Sequence, residues 1–237
     1  MSATSRSPAA GPLNLKSLRE QVYEHLRAEI EAGRLRPGAY LDQDRIASEL
    51  GTSRTPLRDA LIQLETEGFV EIRPRRGVVI RTLRLDDVRH LYEIIGALEG
   101  AALLSVAGRL GAGDLARMRE LNAAMEAALD TGDFDAYYER NLAFHDVFLA
   151  RSDNGELRRT VRVCRQRLYD FPRERAFVAE WERRSTREHD RLVTLLAEDD
   201  ARGAADFLRD VHWSFEVQKA YLLRYHRLEA GATGDGG

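Results

Sequence analysis

The 237-residue sequence predicts a mainly α protein: an N-terminal winged helix-turn-helix followed by an antiparallel bundle of six or seven helices. Three observations lead there. Two short amphipathic segments flank Gly51, and two β-rich runs then enclose the tip Pro74-Arg75-Arg76-Gly77. From Leu85 onward apolar residues recur at helical spacing with no alternating strand pattern.

In chain order, residues 1–13 form a Ser/Ala/Pro-rich arm expected to be disordered, and the winged unit covers residues 14–82. Leu18, Val22, Leu26 and Ile30, four apart, predict a first helix over Leu15–Ala32, ended by Gly33 and the turn LRPG. Within Asp42–Glu67, Ile46, Ala47 and Leu50 mark one helix; Leu57, Leu61 and Leu64 mark the next. Ser53 stands where an N-cap hydroxyl accepts a hydrogen bond from a free amide of the following turn. Arg54, Thr55 and Arg58 then occupy the exposed start of the second helix, Ser53–Glu67. Two cations, a hydroxyl and a helix N-terminus suit phosphates and guanine edges. Phe69–Arg73 and Val78–Arg81 predict a β-hairpin with a basic tip. A helical hairpin alone is a common pattern, but a basic wing directly after it makes DNA binding the specific reading.

The run Leu18–Arg81, with its LRPGAYL, IASELGTSRTPLRDAL, LETEGFVEI and RRGVVI segments, resembles the DNA-binding domain of the GntR family of bacterial transcription regulators. The resemblance implies that the helix start enters the major groove while the wing tip approaches the minor groove. It implicates Ser53, Arg54, Thr55 and Arg58 on the helix, and Arg75, Arg76 and Gly77 on the wing. Many relatives carry arginine where this chain has Asp44, so Arg45, one place on, is a further candidate contact.

Charge distribution agrees with a local rather than general nucleic-acid surface. The formal net charge of −3 excludes a histone-like binder. Asn14–Arg84 holds 13 basic against 11 acidic residues, whereas Leu85–Gly237 holds 22 against 28. One cysteine, Cys164, excludes an intrachain disulfide framework and cysteine-rich zinc sites, and its helical context predicts a structural thiol. No apolar run approaches ~18 residues, so no membrane span is expected. The N-terminal residues do not resemble a secretory signal, and the expected location is the cytoplasm.

The second unit is expected over residues 85–228, with a disordered tail at 229–237. A helix starts at Asp86 or Asp87 and is broken by Gly111 and Gly113; a second follows; Asp133–Ala150 and Glu156–Tyr169 make two more. Pro172 forces a break, a long helix runs from Val178 to Glu198, and a last from Ala201 to Tyr225. This unit resembles the all-helical FCD ligand-binding domain of the FadR subfamily. The resemblance lies in DVRHLYEIIGALEG, NLAFHDVFL, the pair Glu188-His189, and His212.

The histidines carry the second chemical signal. Asn141 and His145 are four apart and share a helix face. His189 and His212 lie twelve residues before and eleven after a turn near residue 201, each ~17 Å from it at ~1.5 Å per residue. An antiparallel hairpin therefore sets them level. Three imidazoles and an amide oxygen, Asn141, His145, His189 and His212, form a plausible divalent-metal set, zinc foremost, with nickel or manganese as alternatives. In the resembling family the first ligand is usually aspartate; Asn141 leaves this site more positive by one charge.

Such a site would attract a small carboxylate effector, with Arg162, Arg165 or Arg167 as candidate helpers. Many relatives carry arginine at the position of Ile95, and its absence leaves the effector class open. The expected function is a homodimeric, ligand-responsive repressor released from a palindromic operator. The alternative is a metal-dependent hydrolase with an accessory DNA-binding domain. Against it, the chain lacks HExxH, and Glu188, a helix neighbour of His189, is expected to point ~100° away from the site.

Overall fold

The computed structural model describes residues 16–170 and 179–225, and contacts divide the chain into two compact units at Arg81/Thr82. The expected arm, the tail and the break at Pro172 lie outside the described residues.

The first unit contains α1 (Leu18–Glu31), α2 (Gln43–Glu49), α3 (Arg54–Thr66), β1 (Val70–Arg73) and β2 (Gly77–Ile80). The first helix starts at Leu18 because Ser17 and Glu20 form a capping box. The Glu20 N–H donates to the Ser17 hydroxyl, and the Ser17 N–H donates to the Glu20 carboxylate. Leu18 is exposed, so the buried stripe is Val22, Leu26 and Ile30 only. Leu57, Ala60, Leu61 and Leu64 of α3 are fully buried, and α3 packs against α1 and α2. Burial of each such leucine stabilises the unit by roughly 1.5–3 kcal/mol. Gly51, at φ 59°, makes the left-handed turn between α2 and α3.

The wing is an antiparallel pair in the register Val70–Ile80 to Arg73–Gly77. The Leu41 N–H donates to the Val78 carbonyl, and the Ile80 N–H donates to the Ala39 carbonyl. The segment before α2 thereby covers the other edge of β2.

The second unit comprises α4 (Leu85–Val106), α5 (Ala112–Thr131), α6 (Phe134–Leu149), α7 (Gly155–Asp170), α8 (Ala179–Ala197), α9 (Ala201–Phe207) and α10 (Phe215–Tyr225). Helix α4 is central, packing against α6, α7, α9 and α10, while α5 packs against α6 and α8. Leu85–Arg109 is long and apolar enough to span a membrane by length and composition, contrary to the expectation from the sequence. Half of that apolar window is buried inside the unit, and the helix serves as its core.

The expected single helix over Ala201–Tyr225 is a correction. It runs as α9, then a π-helical turn at Leu208–His212, then a break at Trp213 and Ser214 before α10. The apolar spacing of the stretch stays close to helical throughout, so periodicity does not reveal the change of winding. Two glycines on α4 let this segment approach. A Cβ at Gly96 would lie 2.9 Å from Trp213 Cβ, and one at Gly100 would lie 3.2 Å from the Ala205 carbonyl oxygen.

Candidate DNA-binding surface and metal centre

On the first unit, Ser53 occupies the N-cap position of α3 in extended conformation, but its side chain makes no capping hydrogen bond. This corrects the expected role of its hydroxyl, which stays exposed with those of Thr55 and the side chains of Arg54 and Arg58. Pro56 costs the helix nothing, because its missing N–H falls in the first turn, where no intrahelical acceptor exists. Arg54 is held by Asp44 of α2: Nε donates to one carboxylate oxygen at 3.0 Å and Nη2 to the other at 2.9 Å. Arg45 pairs instead with Glu49, one turn along α2. At the wing tip Arg75 and Arg76 are exposed; Arg75 (φ 62°) and Gly77 (φ 96°) both take left-handed backbone to close the turn. These residues form one exposed cationic face on α3 and a second at the wing tip.

On the second unit the three histidines meet. Ligand nitrogens of His145, His189 and His212 all lie within 4.8 Å of one another, and the ring centroids stand 4.9–5.3 Å apart. The i,i+4 and equal-distance arguments placed them correctly, although the π turn intervenes before His212.

Each ring has an oxygen behind its Nδ1. The Glu99 Oε2 lies 2.8 Å from His145 Nδ1, Asn122 Oδ1 lies 3.1 Å from His189 Nδ1, and Glu188 Oε2 lies 2.9 Å from His212 Nδ1. The Asn122 amide donates to Thr186 O and Asp190, which turns its oxygen toward His189. At His189 and His212 an acceptor at Nδ1 places the proton there and leaves Nε2 with its lone pair, the form in which imidazole ligates metal, whereas His145 Nδ1 stands at ion-pair distance from Glu99 without a hydrogen bond. The Nε2 atoms of His145 and His189 are buried without a partner, as is Asn141 Oδ1. Buried polar atoms left unpaired cost stability unless a ligand satisfies them. The donor set therefore fits a divalent ion.

Burial dominates at His189 and His145, whereas neighbouring charges and donors dominate at Glu99 and Glu188. Burial lowers the pKa of His189 well below its ordinary value, with His212 and His145 adding to the effect. Burial lowers His145 by more than the Glu99 carboxylate raises it. For Glu99, burial pushes upward, but His145, Arg165 and Trp213 outweigh it and hold the carboxyl below its usual range. Glu188 behaves the same way through His212, Arg184 and Gln218.

Glu188 is a further correction. It does not face away: its side chain is buried and accepts from His212, Arg184 and Gln218. The long side chain reaches round the helix to His212 on the neighbouring segment, so the angle between Cα–Cβ bonds did not decide where its oxygens went. Glu99 and Asn122, which stand behind His145 and His189, are absent from the sequence-based set. Their only available signal was a carboxylate and an amide on the apolar faces of their helices.

A cavity of about 30 Å³ adjoins His212 of the cluster, with Tyr137, Asn141, Glu182 and Ser185 among its other walls. The candidate arginines do not line it among the described residues. Arg165 is buried between Asp146 and Glu99, and it opens with Arg162 onto a separate groove of about 280 Å³ between α6 and α7.

Comparison with known proteins agrees with both halves. Residues 18–80 match the family of bacterial regulatory proteins called gntR, and residues 90–212 match the FCD domain. The chain is 30% identical over 177 residues to the "Nta operon transcriptional regulator" of Aminobacter aminovorans, covering 73% of this chain and 80% of that one. It is 32% identical over 163 residues to the "Probable D-xylose utilization operon transcriptional repressor" of Paenarthrobacter nicotinovorans, covering 67% and 68%. Among solved structures, E. coli McbR/YncC superposes with a TM-score of 0.67 at 23% identity, covering 90% of this chain and 99% of that one. Both matched domains and these relatives are regulators rather than enzymes, and nothing supports the hydrolase alternative. The chain belongs to the GntR family: it is a transcription regulator in which a winged helix-turn-helix is joined to an FCD domain.

Proposed function

We propose that this regulator is a cytoplasmic homodimer that represses from a palindromic operator and is released by a small organic acid bound at a metal site in the helical unit. The single observation that carries the proposal is the histidine cluster: three imidazoles whose Nδ1 atoms each have an oxygen nearby and whose ligand nitrogens lie within 4.8 Å of one another. His145, His189 and His212 would hold the ion, zinc foremost, with nickel or manganese as alternatives, and Asn141 Oδ1 would complete the protein's share. A divalent ion there supplies an electrophilic, partly open coordination sphere for a carboxylate.

On DNA, a twofold dimer presents two recognition helices to successive half-sites, so the operator mirrors the protein's symmetry. Arg54 and Arg58 read base edges, while Ser53, Thr55, Arg45 and the wing residues Arg75, Arg76 and Gly77 approach the backbone and minor groove. The effector acts by differential binding, stabilising an arrangement of the dimer that fits the operator less well. Repression is the sign that the name of the Paenarthrobacter relative supports.

The test couples two measurements on full-length protein. Elemental analysis should find about one divalent ion per chain, absent from His189→Ala. Organic acids that raise the melting temperature only in the metal-loaded protein should also lower its affinity for promoter fragments. Metal-free protein that still responds to such acids would refute the site's role.

A further inference from the structure

We propose that the effector is a small zwitterion, its carboxylate toward the histidine cluster and a protonated amine held by Glu182 and aromatic faces at the other end of the same cavity. The inference rests on the reading of the cluster as a metal and effector site.

Glu182 differs from the other buried carboxylates lining or backing this site. Glu99 is neighboured by Arg165 and His145, and Glu188 by Arg184 and His212. Glu182 is only 6% exposed, yet among the described residues it enters no ion pair. Its neighbour is the Tyr137 hydroxyl, which favours the charged form by less than burial opposes it. Burial without a cation pushes its carboxyl up to about 7. A buried carboxyl facing a cavity with one hydroxyl partner has spare acceptor capacity, and a cation beside it recovers the charged form.

The walls favour the same guest. Phe134, Tyr138, Tyr169 and Trp181 line the cavity with Glu182, and no Lys or Arg does among the described residues. Ring faces beside a carboxylate attract ammonium groups and offer nothing to a second carboxylate.

Helix geometry sets the length. Glu182, Ser185 and His189 follow i, i+3, i+7 on α8, and Tyr137, Asn141 and His145 follow i, i+4, i+8 on α6. At ~1.5 Å per residue, the Glu182–Tyr137 end lies about 10–12 Å along the helix axes from the His189–His145 end, with Asn141 between. A carboxylate near Asn141 and His212 therefore leaves room for an amine only a few bonds away. The small volume excludes large molecules.

Matched ligands on zinc-loaded, full-length protein decide the matter by isothermal titration: alanine against lactate and propionate, and 4-aminobutyrate against 4-hydroxybutyrate, butyrate and succinate. In at least one set the amino member should bind tenfold or more tighter than every other. Glu182→Gln should erase that preference while zinc content and affinity for the plain acid stay unchanged. Wild-type protein that binds plain, hydroxy or dicarboxylic acids as tightly as the amino acids overturns the proposal without recourse to a variant, as does a preference that survives Glu182→Gln. Zinc retained with plain acids favoured sinks this inference alone; failure to retain zinc, or to bind any member, sinks the metal-site reading with it.

Discussion

Glu188 reaches across from α8 to hold His212 at the end of the π turn, its Oε2 2.9 Å from Nδ1, although Glu188 adjoins another cluster residue, His189. One helix thus supplies a candidate ligand and the support of a different one. Arg184 and Gln218 bind the same carboxylate, so its position is set from three sides. Outer partners of metal-bound histidines orient the ring and raise its basicity, and their loss typically weakens affinity 10–100-fold. Glu188→Gln should therefore weaken zinc retention by about that factor, measured by chelator competition. Unchanged affinity would show that the contact is only packing.

On the proposed DNA-binding face, Asp44 aligns Arg54 through two hydrogen bonds. Both side chains are largely exposed, at 80% and 70%, so the pair adds little to stability. Its consequence is directional: Arg54 is presented from a carboxylate anchor. Arg54→Ala or Arg58→Ala should each cost ~1–3 kcal/mol of operator binding at fixed salt, with the melting temperature unmoved. Asp44→Ala should leave the fold intact and change the base preference at the position that Arg54 reads. A selection of binding sites from random duplexes would reveal the change, and an identical consensus would discount the anchoring role.

Glu182 links the cavity beside His212 to pH. An unfolded glutamate titrates near ~4.3, whereas burial raises the folded group to about 7. Between those values the native state keeps a proton that the unfolded chain has lost, so stability falls as pH rises through the window and levels off above it. The loss is up to about 1.4 kcal/mol per pH unit, on the order of 3 kcal/mol by pH 8. Denaturant titrations from pH 5 to 8 should show Glu182→Gln increasingly favoured relative to wild type. Parallel curves for the two proteins would count against the buried, proton-holding carboxyl.

Gly96 is where α4 admits the segment carrying His212. An added Cβ would meet Trp213 at 2.9 Å, a contact that cannot stand without movement. Gly96→Ala should cost about 1–3 kcal/mol and reduce metal retention, because Trp213 adjoins His212 and donates to Glu99 at 2.9 Å. Gly108→Ala, with nothing within 4 Å of its Cβ, is the control and should leave both properties near wild type. Thermal melts with elemental analysis distinguish the two.

Much of this regulator was already legible in local patterns. Apolar residues at helical spacing, a glycine turn, an arginine-rich hairpin and histidines spaced about a turn are short-range features, and they sufficed for the winged and helical units and the meeting of three imidazoles. Packing alone chose the rest. The Ser53 hydroxyl, able to cap, stays without that bond, and Glu188, expected to face away, turns inward to His212. Glu99 and Asn122 find their histidines across 46 and 67 residues of chain. A π turn replaces α-helix where α4 offers two glycines. Helical periodicity reports which face of a segment is apolar; it carries no record of which distant acceptor a buried donor will meet, because that depends on how whole helices come together.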